Sequence, residues 1–517
     1  MSGSRRPAMM PREPAEASDV TDADSRRDER APDREPRTYH VLAEKPTAEG
    51  ARDTEPMKPE PGANPAPAAG EDIGPFDPED GGPEQSDPGP KLRLREHLYR
   101  GALGLARPFA STGAGADEKI QRGLAGRKQS VEVFERWAAE QRDRDVPLVW
   151  VHAPSAGESL MAKAIITALR ARRPDVQIAF THFSPSAERL LEEIGADVTA
   201  YLPWDVRGDV RRALDALAPS VIAYVRSEVW PVLGAEAKRR GIRVALVNAA
   251  LAPDSSRLRP AARWLLGPAY SRLDLVAAVA PEDAALHRHL GALRQRTSVT
   301  GDARFDQVLD RLQAELPAAA AKLRDPDTMT LVAGSTWPED EEHLLPAYFR
   351  AGADVRLVIA PHEPTEEHLV GIEGALDRRY VRHRRLSEVA RDRHPLPAAI
   401  VVDQLGVLAD LYRVADLAFV GGGFTDNGVH SVVEPAAVGI PVLMGPRHGN
   451  AREAAELIAA GGGIEVTNAA QLEGRLRTLA QYETARQAAG ERAAAYVRTR
   501  TGGAAANAAA ILALIEG

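Results

Sequence analysis

Short runs of apolar residues alternate with amphipathic segments from Pro147 onward. The runs PLVWVHA and SVIAYVR precede the helical segments GESLMAKAIITALRARR and WPVLGAEAKRRG, while VQIAFTHF and RVALVNA are further strands. A second series starts near Met329 with TMTLVAGST, RLVIAPHEP, AAIVVDQ, DLAFVGGGF and IPVLMGP. Buried strands that alternate with helices indicate parallel βαβ units. The pattern therefore predicts an α/β protein with two Rossmann-like domains facing a cleft, with ligands at the carboxyl ends of the strands.

The first part of the chain lacks this rhythm. Residues 1–91 are rich in Pro, Asp, Glu, Gly and Ala, so we expect a disordered tail. The stretch KLRLREHLYRGALGLARPFA then places leucines at helical spacing among arginines, which fits either a basic helix in a membrane interface or a first helix packed on the core. The expected divisions are the tail at 1–91, a membrane-proximal helical segment at 92–145, an N-terminal domain at 146–310 and a C-terminal domain at 311–517.

Composition narrows the possible functions. The 517 residues carry a formal net charge of -9, which argues against a general nucleic-acid binder because affinity for phosphate backbones comes from clustered Lys and Arg. The absence of Cys excludes disulfides, thiol catalysis and Cys-ligated zinc. We find neither an apolar run of about 18 residues nor a signal-peptide core, so we expect a protein that stays in the cytoplasm and that is free to lie on a membrane surface.

Two loops of the first half place a carboxylate after an apolar strand. Glu158 lies in HAPSAGES and Glu228 lies in VRSEVWP. If the two loops are neighbours, both carboxylates reach one cleft, where one acts as a base and the other as a hydrogen-bonding partner or modulator. The alternative is that each acid only complements the positive N-terminus of the helix that follows.

Two regions of the second half suit a phosphorylated ligand. The loop AGST, with Ser335, offers free backbone N–H groups, and the glycines around Gly422 in FVGGGF permit a close backbone approach. The segment from Ser431 to Glu434 presents a helix N-terminus for a phosphate and a carboxylate for a ribose diol. Neither GxGxxG nor a Walker loop is present, which weakens NAD and ATP as ligands.

Several patterns that resemble catalytic motifs do not meet their spacing. HEPTEEH separates His362 and His368 by six positions and contains Pro364, whereas a zinc site needs histidines one helical turn apart. His287 and His289 are two apart and face different sides of a helix. No GxSxG elbow supports a hydrolase triad. We therefore predict no metal site and no cofactor.

Taken in order, these loops resemble the Kdo transferase family, which adds 3-deoxy-D-manno-octulosonic acid (Kdo) to lipid A precursors. The matching pieces are WVHAPSAGE, YLPWD, SEVWP, LVNA, TGDARFD, AGST, IAPHEP, LGVLADLY, GGGFTDNGVHSVVEPAAVGIPVLMGP and TGGAAANA. The resemblance covers roughly Leu94 to the C-terminus and implies a GT-B fold, usually with an N-terminal membrane anchor. It makes 146–310 the acceptor domain and 311–517 the CMP-sugar domain with closing helices.

The resemblance also implies site residues. Glu158 matches the general base and Glu228 the second cleft carboxylate. The residues that match CMP-contacting positions are Pro361, His362, Leu405, Gly406, Val407, Ser431, Val432, Val433 and Glu434, and Ser335 and Gly422 complete the expected donor site. Departures from the family pattern are His362 in place of Arg, Ser431 in place of Asn, and Ala250 and Ala252 where Arg and Ser are usual.

The implied reaction is an inverting transfer from CMP-Kdo to a lipid A precursor at the cytoplasmic face of the inner membrane. Glu158 takes the proton of the acceptor hydroxyl, and the monophosphate leaving group has little need of a metal. Two other interpretations stay open. One is a GT-B enzyme or an epimerase that uses a UDP-sugar, and the other is a silent scaffold that binds nucleotide or lipid.

Overall fold

The structure, a computed structural model, describes residues 118–352, 354–391 and 395–516. The expected tail at 1–91 and the basic stretch from Leu92 to Arg107 lie outside these ranges. Among the helices described, none combines the length and the apolar character needed to cross a bilayer.

The first half is built on a sheet of seven parallel strands in the order β3-β2-β1-β4-β5-β6-β7. Its strands are β1 (Leu148–His152), β2 (Gln177–His182), β3 (Val198–Tyr201), β4 (Val221–Val225), β5 (Arg243–Ala249), β6 (Leu275–Ala278) and β7 (Thr297–Val299). The strand order reverses between β1 and β4, so their carboxyl ends form the switch point at which such sheets bind ligands.

Helices cover both faces of this sheet, and α1 precedes it. They are α1 (Glu118–Gln141), α2 (Ala156–Arg172), α3 (Arg207–Leu217), α4 (Pro231–Arg239), α5 (Pro260–Ser271), α6 (Pro281–His289) and α7 (Ala303–Gln313). The central strand β1 is buried along its whole length. Its alternate residues enter two different cores, Leu148 and Trp150 on one face and Val149 and Val151 on the other. This explains why the strands are continuously apolar in sequence.

The second half repeats this plan with seven parallel strands in the order β10-β11-β9-β8-β12-β13-β14. The strands are β8 (Met329–Thr336), β9 (Val355–Pro361), β10 (His383–Arg385), β11 (Ala399–Val401), β12 (Leu417–Val420), β13 (Val442–Met444) and β14 (Gly463–Glu465). Here the switch point lies between β8 and β12. The prediction of two Rossmann-like domains is confirmed by these two sheets.

The helices of the second part are more variable in length. They are α8 (Ala318–Ala321), α9 (Pro338–Ala351), α10 (Glu366–Asp377), α11 (Leu386–Arg391), α12 (Leu408–Tyr412), α13 (Val433–Val438), α14 (Arg452–Ala459), α15 (Ala469–Gln481), α16 (Glu483–Arg498) and α17 (Gly503–Glu516).

The last helix, α17, lies on the core of the first half. Its residues Ala504, Ala508 and Ile511 belong to the same apolar cluster as Val149 of β1. Asp306 of α7 accepts hydrogen bonds from the N–H groups of Gly502 (2.7 Å) and Ala504 (2.9 Å) and so caps the start of the helix. The chain therefore returns to the first half after it has completed the second.

Candidate active site

The two carboxylates predicted in the first half follow neighbouring strands. Glu158 lies in the first turn of α2, directly after β1, and Glu228 lies in the loop after β4. Because β1 and β4 are paired in parallel, both loops leave the same edge of the sheet at its switch point. The structure thus brings the two loops together at the expected place.

Glu158 completes a capping box at the start of α2. The N–H of Ser155 donates to Oε2 of Glu158 at 3.0 Å, and the Ser155 hydroxyl bonds the same oxygen. Within the described residues Oε1 has no hydrogen bond, and the side chain is only partly buried. The helix-start role considered from the sequence is therefore present, and it leaves one oxygen available for a ligand.

Glu228 is surrounded by groups that favour its ionised form. Its Oε2 lies 3.6 Å from Nε2 of His152, and its Oε1 lies 3.9 Å from Nη2 of Arg257. Burial raises the pKa of the carboxyl group, but His152, Arg257 and the indole of Trp230 together outweigh burial and lower the pKa of Glu228. Glu228 is therefore an anion at neutral pH.

An aromatic wall supports the Glu228 loop. The ring of Trp230 stacks on Phe183 with centroids 6.1 Å apart and meets the ring of His152 edge-on at 6.2 Å. The guanidinium of Arg127, on α1, lies 4.6 Å from the centroid of Phe183 and 4.3 Å from that of Trp204. Arg127 also donates to the carbonyl of Leu202 at 3.1 Å. Helix α1 is therefore anchored beside the candidate site.

Charged side chains join the two halves next to this wall. Arg226, two residues before Glu228, has a positive φ of 78° and lies 3.5 Å from Asp302. Asp302 pairs with Arg304 at 2.8 Å, and Arg304 reaches Glu453 of the second half at 2.7 Å. A second bridge joins Arg452 to Asp283 at 3.0 Å. These bridges fix the carboxyl edge of the first sheet against α14.

The switch point of the second sheet is lined by glycines that pack on backbone. Ser335 adopts a positive φ of 55° after β8. A Cβ on Gly421 would lie 2.3 Å from the Ser335 carbonyl oxygen, and one on Gly422 would lie 2.2 Å from the carbonyl oxygen of Gly428. A Cβ on Gly423 would lie 2.6 Å from the backbone nitrogen of Gly445. The chain's own backbone therefore comes close at these glycines and fixes the shape of this loop, while the approach of a ligand at Gly422 stays a prediction.

One buried carboxylate holds these loops together. Asp340 of α9 accepts hydrogen bonds from the N–H groups of Trp337 (3.0 Å), Gly422 (2.6 Å) and Phe424 (3.1 Å). Burial raises the pKa of Asp340 despite these three donors. Since the donors come from both sides of the switch point, Asp340 ties the loop after β8 to the loop after β12.

Three rings lie nearly parallel beside this loop. His362, which follows β9, stacks on Trp337 with centroids 4.7 Å apart and on His430 with centroids 4.4 Å apart. The Trp337 indole N–H donates to Nε2 of His430 at 3.0 Å. Burial, reinforced by His362, lowers the pKa of His430 to about 4, so His430 is neutral at pH 7. Pro361 ends β9 opposite Thr336, and the His362 N–H donates to the Thr336 carbonyl at 2.9 Å.

The Leu405–Val407 segment follows β11 and faces the first half. Leu405 is 69% exposed, which is unusual for a leucine in a folded core. Gly406 has a φ of +86°, and a Cβ placed there would lie 3.1 Å from a guanidinium nitrogen of Arg189 in the first half. Val407 is partly buried and precedes α12. This segment therefore borders both halves.

The Ser431–Glu434 segment runs into the start of the short helix α13, which has six residues. The Ser431 hydroxyl hydrogen-bonds Oε2 of Glu434, while Val432 and Val433 are buried in the core. Burial and the nearby Glu434 raise the pKa of Tyr412. The predicted carboxylate is thus partly exposed and held at one oxygen, as Glu158 is.

Sequence reasoning missed four residues that shape the site, namely His152, Trp337, Asp340 and His430. His152 and His430 lie inside motifs quoted above, and Trp337 and Asp340 follow AGST directly. Their positions were therefore visible, whereas their contacts depend on partners in other strands. Among the described residues, no group of three or more His, Asp or Glu side chains is arranged to hold a metal ion.

Comparison with known proteins bears on this arrangement. The family model for 3-Deoxy-D-manno-octulosonic-acid transferase (kdotransferase) matches residues 130–307. A 3-deoxy-D-manno-octulosonic acid transferase of Bordetella pertussis is 32% identical over 371 residues, which cover 68% of this chain and 84% of that protein. The enzyme of the same name from Haemophilus influenzae is 26% identical over 354 residues, which cover 66% and 81%.

A solved structure supports the fold. The UDP-GlcNAc 2-epimerase of Neisseria meningitidis, bound to UDP-GlcNAc, has a TM-score of 0.50 at 14% identity and covers 72% of this chain and 99% of its own. At this identity the likeness concerns the fold alone. The Bordetella relative, by contrast, is similar in sequence over most of its own length, and the family model includes both the Glu158 and the Glu228 loops. This chain belongs to the 3-deoxy-D-manno-octulosonic acid (Kdo) transferase family.

Proposed function

We propose that this chain is an inverting transferase in which Glu158 acts as the general base. Membership of the family makes it a glycosyltransferase that transfers Kdo in lipopolysaccharide biosynthesis, with CMP-Kdo as donor and a lipid A precursor as acceptor. The observation that carries the proposal is the free Oε1 of Glu158 at the switch point of the first sheet. Its Oε2 is held by Ser155, so the carboxylate has a fixed direction before substrate binds.

The proposed step moves one proton and one sugar. The oxygen of an acceptor hydroxyl attacks the anomeric carbon of Kdo from the face opposite CMP, while its proton passes to Glu158. The bond between that carbon and the phosphate oxygen breaks, and CMP leaves with the electron pair. A monophosphate departs as a stable anion, so the proposed step requires neither a protein acid nor a metal ion.

The second half is proposed to hold the donor. The predicted CMP contacts lie at or after the carboxyl ends of its strands, where ligands bind in such sheets. They include Pro361 and His362 after β9, Leu405, Gly406 and Val407 after β11, and Ser431 to Glu434 before and within α13. Ser335 and Gly422 border the same switch point. The flat, stacked rings of Trp337 and His362 suit a nucleotide base.

We further propose that the chain works as a peripheral protein at the cytoplasmic face of the inner membrane, because its acceptor is a lipid. A flotation assay with vesicles that contain anionic lipid tests this directly. Association of the full chain with the vesicles is expected, and a chain that stays in the aqueous phase in the presence of acceptor would contradict it.

The decisive experiment compares Glu158→Gln with the wild type in transfer from CMP-Kdo, generated in situ, to a tetraacylated lipid A precursor. The amide oxygen of Gln still accepts from Ser155, so folding and CMP binding are expected to persist. Turnover is expected to fall by about 100-fold or more. Glu282→Gln, an exposed acid in the first turn of α6, is the control and should keep full activity. Mass spectrometry of the lipid measures the gain of Kdo.

Full activity of Glu158→Gln would contradict the assignment of Glu158 as the general base. Transfer from a UDP-sugar but not from CMP-Kdo would instead favour another GT-B enzyme. Binding of nucleotide with no transfer from either donor would favour the silent scaffold.

A further inference from the structure

The two carboxylate oxygens of Glu228 face different surroundings. Oε2 is buried, has no hydrogen-bond partner among the described residues and points to Nε2 of His152 at 3.6 Å. Oε1 lies on the side of Arg257, at 3.9 Å, and the side chain as a whole is 29% exposed. One oxygen is thus turned into the protein, and the other is available at the strand edge.

The ring of His152 is held on its far side by Thr181 of β2. Its Nδ1 lies 3.1 Å from the Thr181 carbonyl oxygen and 3.1 Å from the Thr181 hydroxyl. The carbonyl accepts a hydrogen bond from a protonated Nδ1, and the hydroxyl is able to donate one to an unprotonated Nδ1, so Thr181 suits both tautomers of the ring. His152 is fully buried, and its ring meets Tyr224 edge-on at 6.4 Å. The direction of Nε2 is therefore fixed by packing.

Two buried polar atoms, Nε2 of His152 and Oε2 of Glu228, face each other without forming a regular hydrogen bond. Nε1 of Trp230 is a third buried atom without a hydrogen-bond partner among the described residues. A buried polar atom without a partner costs about 1–3 kcal/mol, so such a group needs an explanation. A carboxylate facing a bare ring nitrogen would place two acceptors against each other. A hydrogen on Nε2 removes this conflict and gives Oε2 a donor, with a small shift in distance.

We infer that His152 is a positioning residue: its Nε2–H holds Oε2 of Glu228 inward and so presents Oε1 to a hydroxyl group of the acceptor sugar. This inference rests on the proposed function and adds the role of Glu228 to it. Glu228 orients the acceptor, while Glu158 takes its proton. The other charged or titratable groups that face this pair include Arg257, His182, Tyr224 and Tyr270.

Two substitutions of His152 separate positioning from packing. In His152→Asn the amide nitrogen replaces Nδ1 and keeps the contact to Thr181, but nothing reaches Glu228. In His152→Gln the amide nitrogen replaces Nε2 and keeps a donor toward Glu228. Both lose the same ring, so a role in packing alone affects both equally. His289→Asn, on an exposed residue of α6, is the control.

The turnover of Kdo transfer is expected to fall about 10-fold or more in His152→Asn and less in His152→Gln, because a misplaced group costs rate steeply. In the Glu228→Gln background, His152→Asn should add little, since His152 acts only through Glu228. Equal losses in the two single variants, or full additivity with Glu228→Gln, would overturn the inference. Unfolding midpoints establish that each variant folds.

A second readout does not require activity. In protein with 15N-labelled histidine, the Nε2 signal of His152, assigned by its loss in His152→Gln, should be that of a protonated nitrogen at neutral pH. Glu228→Gln should shift it. An unprotonated Nε2, or a signal that does not change in Glu228→Gln, would contradict the hydrogen bond between His152 and Glu228, even in a protein that transfers Kdo. Conversely, a coupled pair in a protein without transfer activity would leave the pair intact and refute the proposed function.

Discussion

The two switch points have the same topology and opposite electrostatic character. At the first, Glu228 is kept ionised by His152 and Arg257, and Glu158 is held by Ser155 with one oxygen unbonded. At the second, burial raises the pKa of Asp340, which accepts from backbone N–H groups, and lowers that of His430, which belongs to a stack of rings. Topologically equivalent strand ends therefore differ because different neighbouring groups surround the ionisable side chains at each of them. One edge presents two carboxylates, and the other presents stacked rings and glycines that pack on backbone.

The largest effect is expected from Gly422→Ala, which tests the rigidity of the second switch point. The new Cβ would lie 2.2 Å from the Gly428 carbonyl oxygen, at a φ of +90° that disfavours alanine. We expect the free energy of unfolding in urea to fall by more than about 4 kcal/mol and protection by CMP to be lost. Gly371→Ala, in α10 where a Cβ meets no atom, is the control and should stabilise the chain by about 1 kcal/mol. Unchanged stability of Gly422→Ala would show that this loop adapts to a side chain and is not rigid.

Asp340→Ala should have the next largest effect. It leaves three backbone N–H groups without their acceptor, and we expect a loss of about 3 kcal/mol together with weaker CMP binding. Urea unfolding and calorimetric titration with CMP measure the two effects. Glu339→Ala, on the exposed neighbour, should change neither. If Asp340→Ala is destabilised but binds CMP normally, the loop that Asp340 holds does not contribute to the donor site.

A smaller loss of stability is expected at acid pH. It arises from one buried histidine in each half, His287 in the first and His430 in the second. Burial lowers the pKa of His287 to about 4, and neither ring nitrogen has a hydrogen-bond partner within the described residues. Because the unfolded pKa is about 6.5, this contribution to stability is present above that pH and is lost as pH falls toward 4, by about 2 kcal/mol at pH 5. His430 is less buried and should contribute less.

The measurement is the difference in the free energy of unfolding between pH 7 and pH 5. It should shrink in His287→Leu and stay unchanged in His289→Leu, the exposed neighbour on α6. An undiminished difference in His287→Leu would assign the acid sensitivity to other groups.

The smallest expected effect is that of EDTA, which should leave Kdo transfer unchanged once any metal needed to generate CMP-Kdo is supplied separately. The reason is the monophosphate leaving group, which needs little charge neutralisation. Loss of transfer that is restored by a divalent cation would contradict the proposed chemistry at the donor edge.

Most of the fold follows from sequence pattern because both sheets are parallel and covered on both faces. Their strands therefore stand out as continuous apolar runs, and the polar loops between them mark the strand ends. The placement of Glu158 and Glu228 after neighbouring strands follows from the same logic. The pairing of β1 with β4 required only the usual order of a doubly wound sheet.

The remaining features depend on contacts that no local pattern encodes. His152 is the last residue of an apolar strand, and its position gains meaning only from Thr181 and Glu228 on two other segments. The ring stack joins Trp337, His362 and His430 from three separate loops. The glycines at the second switch point suggested a ligand, yet the atoms that require them are backbone atoms of the chain itself.

The position of α17 determines when the first half can complete its folding during synthesis. Its 14 residues follow the whole of the second half in the chain and are synthesised after it, yet Ala504, Ala508, Ile511 and Leu512 fill the core that surrounds β1. Until the second half has been synthesised, the first half therefore exposes the apolar surface that α17 covers in the folded protein. Contacts of such long sequence separation are slow to form. The two halves, although each has its own sheet, thus reach their final state as one unit, and removal of α17 would destabilise the half that is synthesised first.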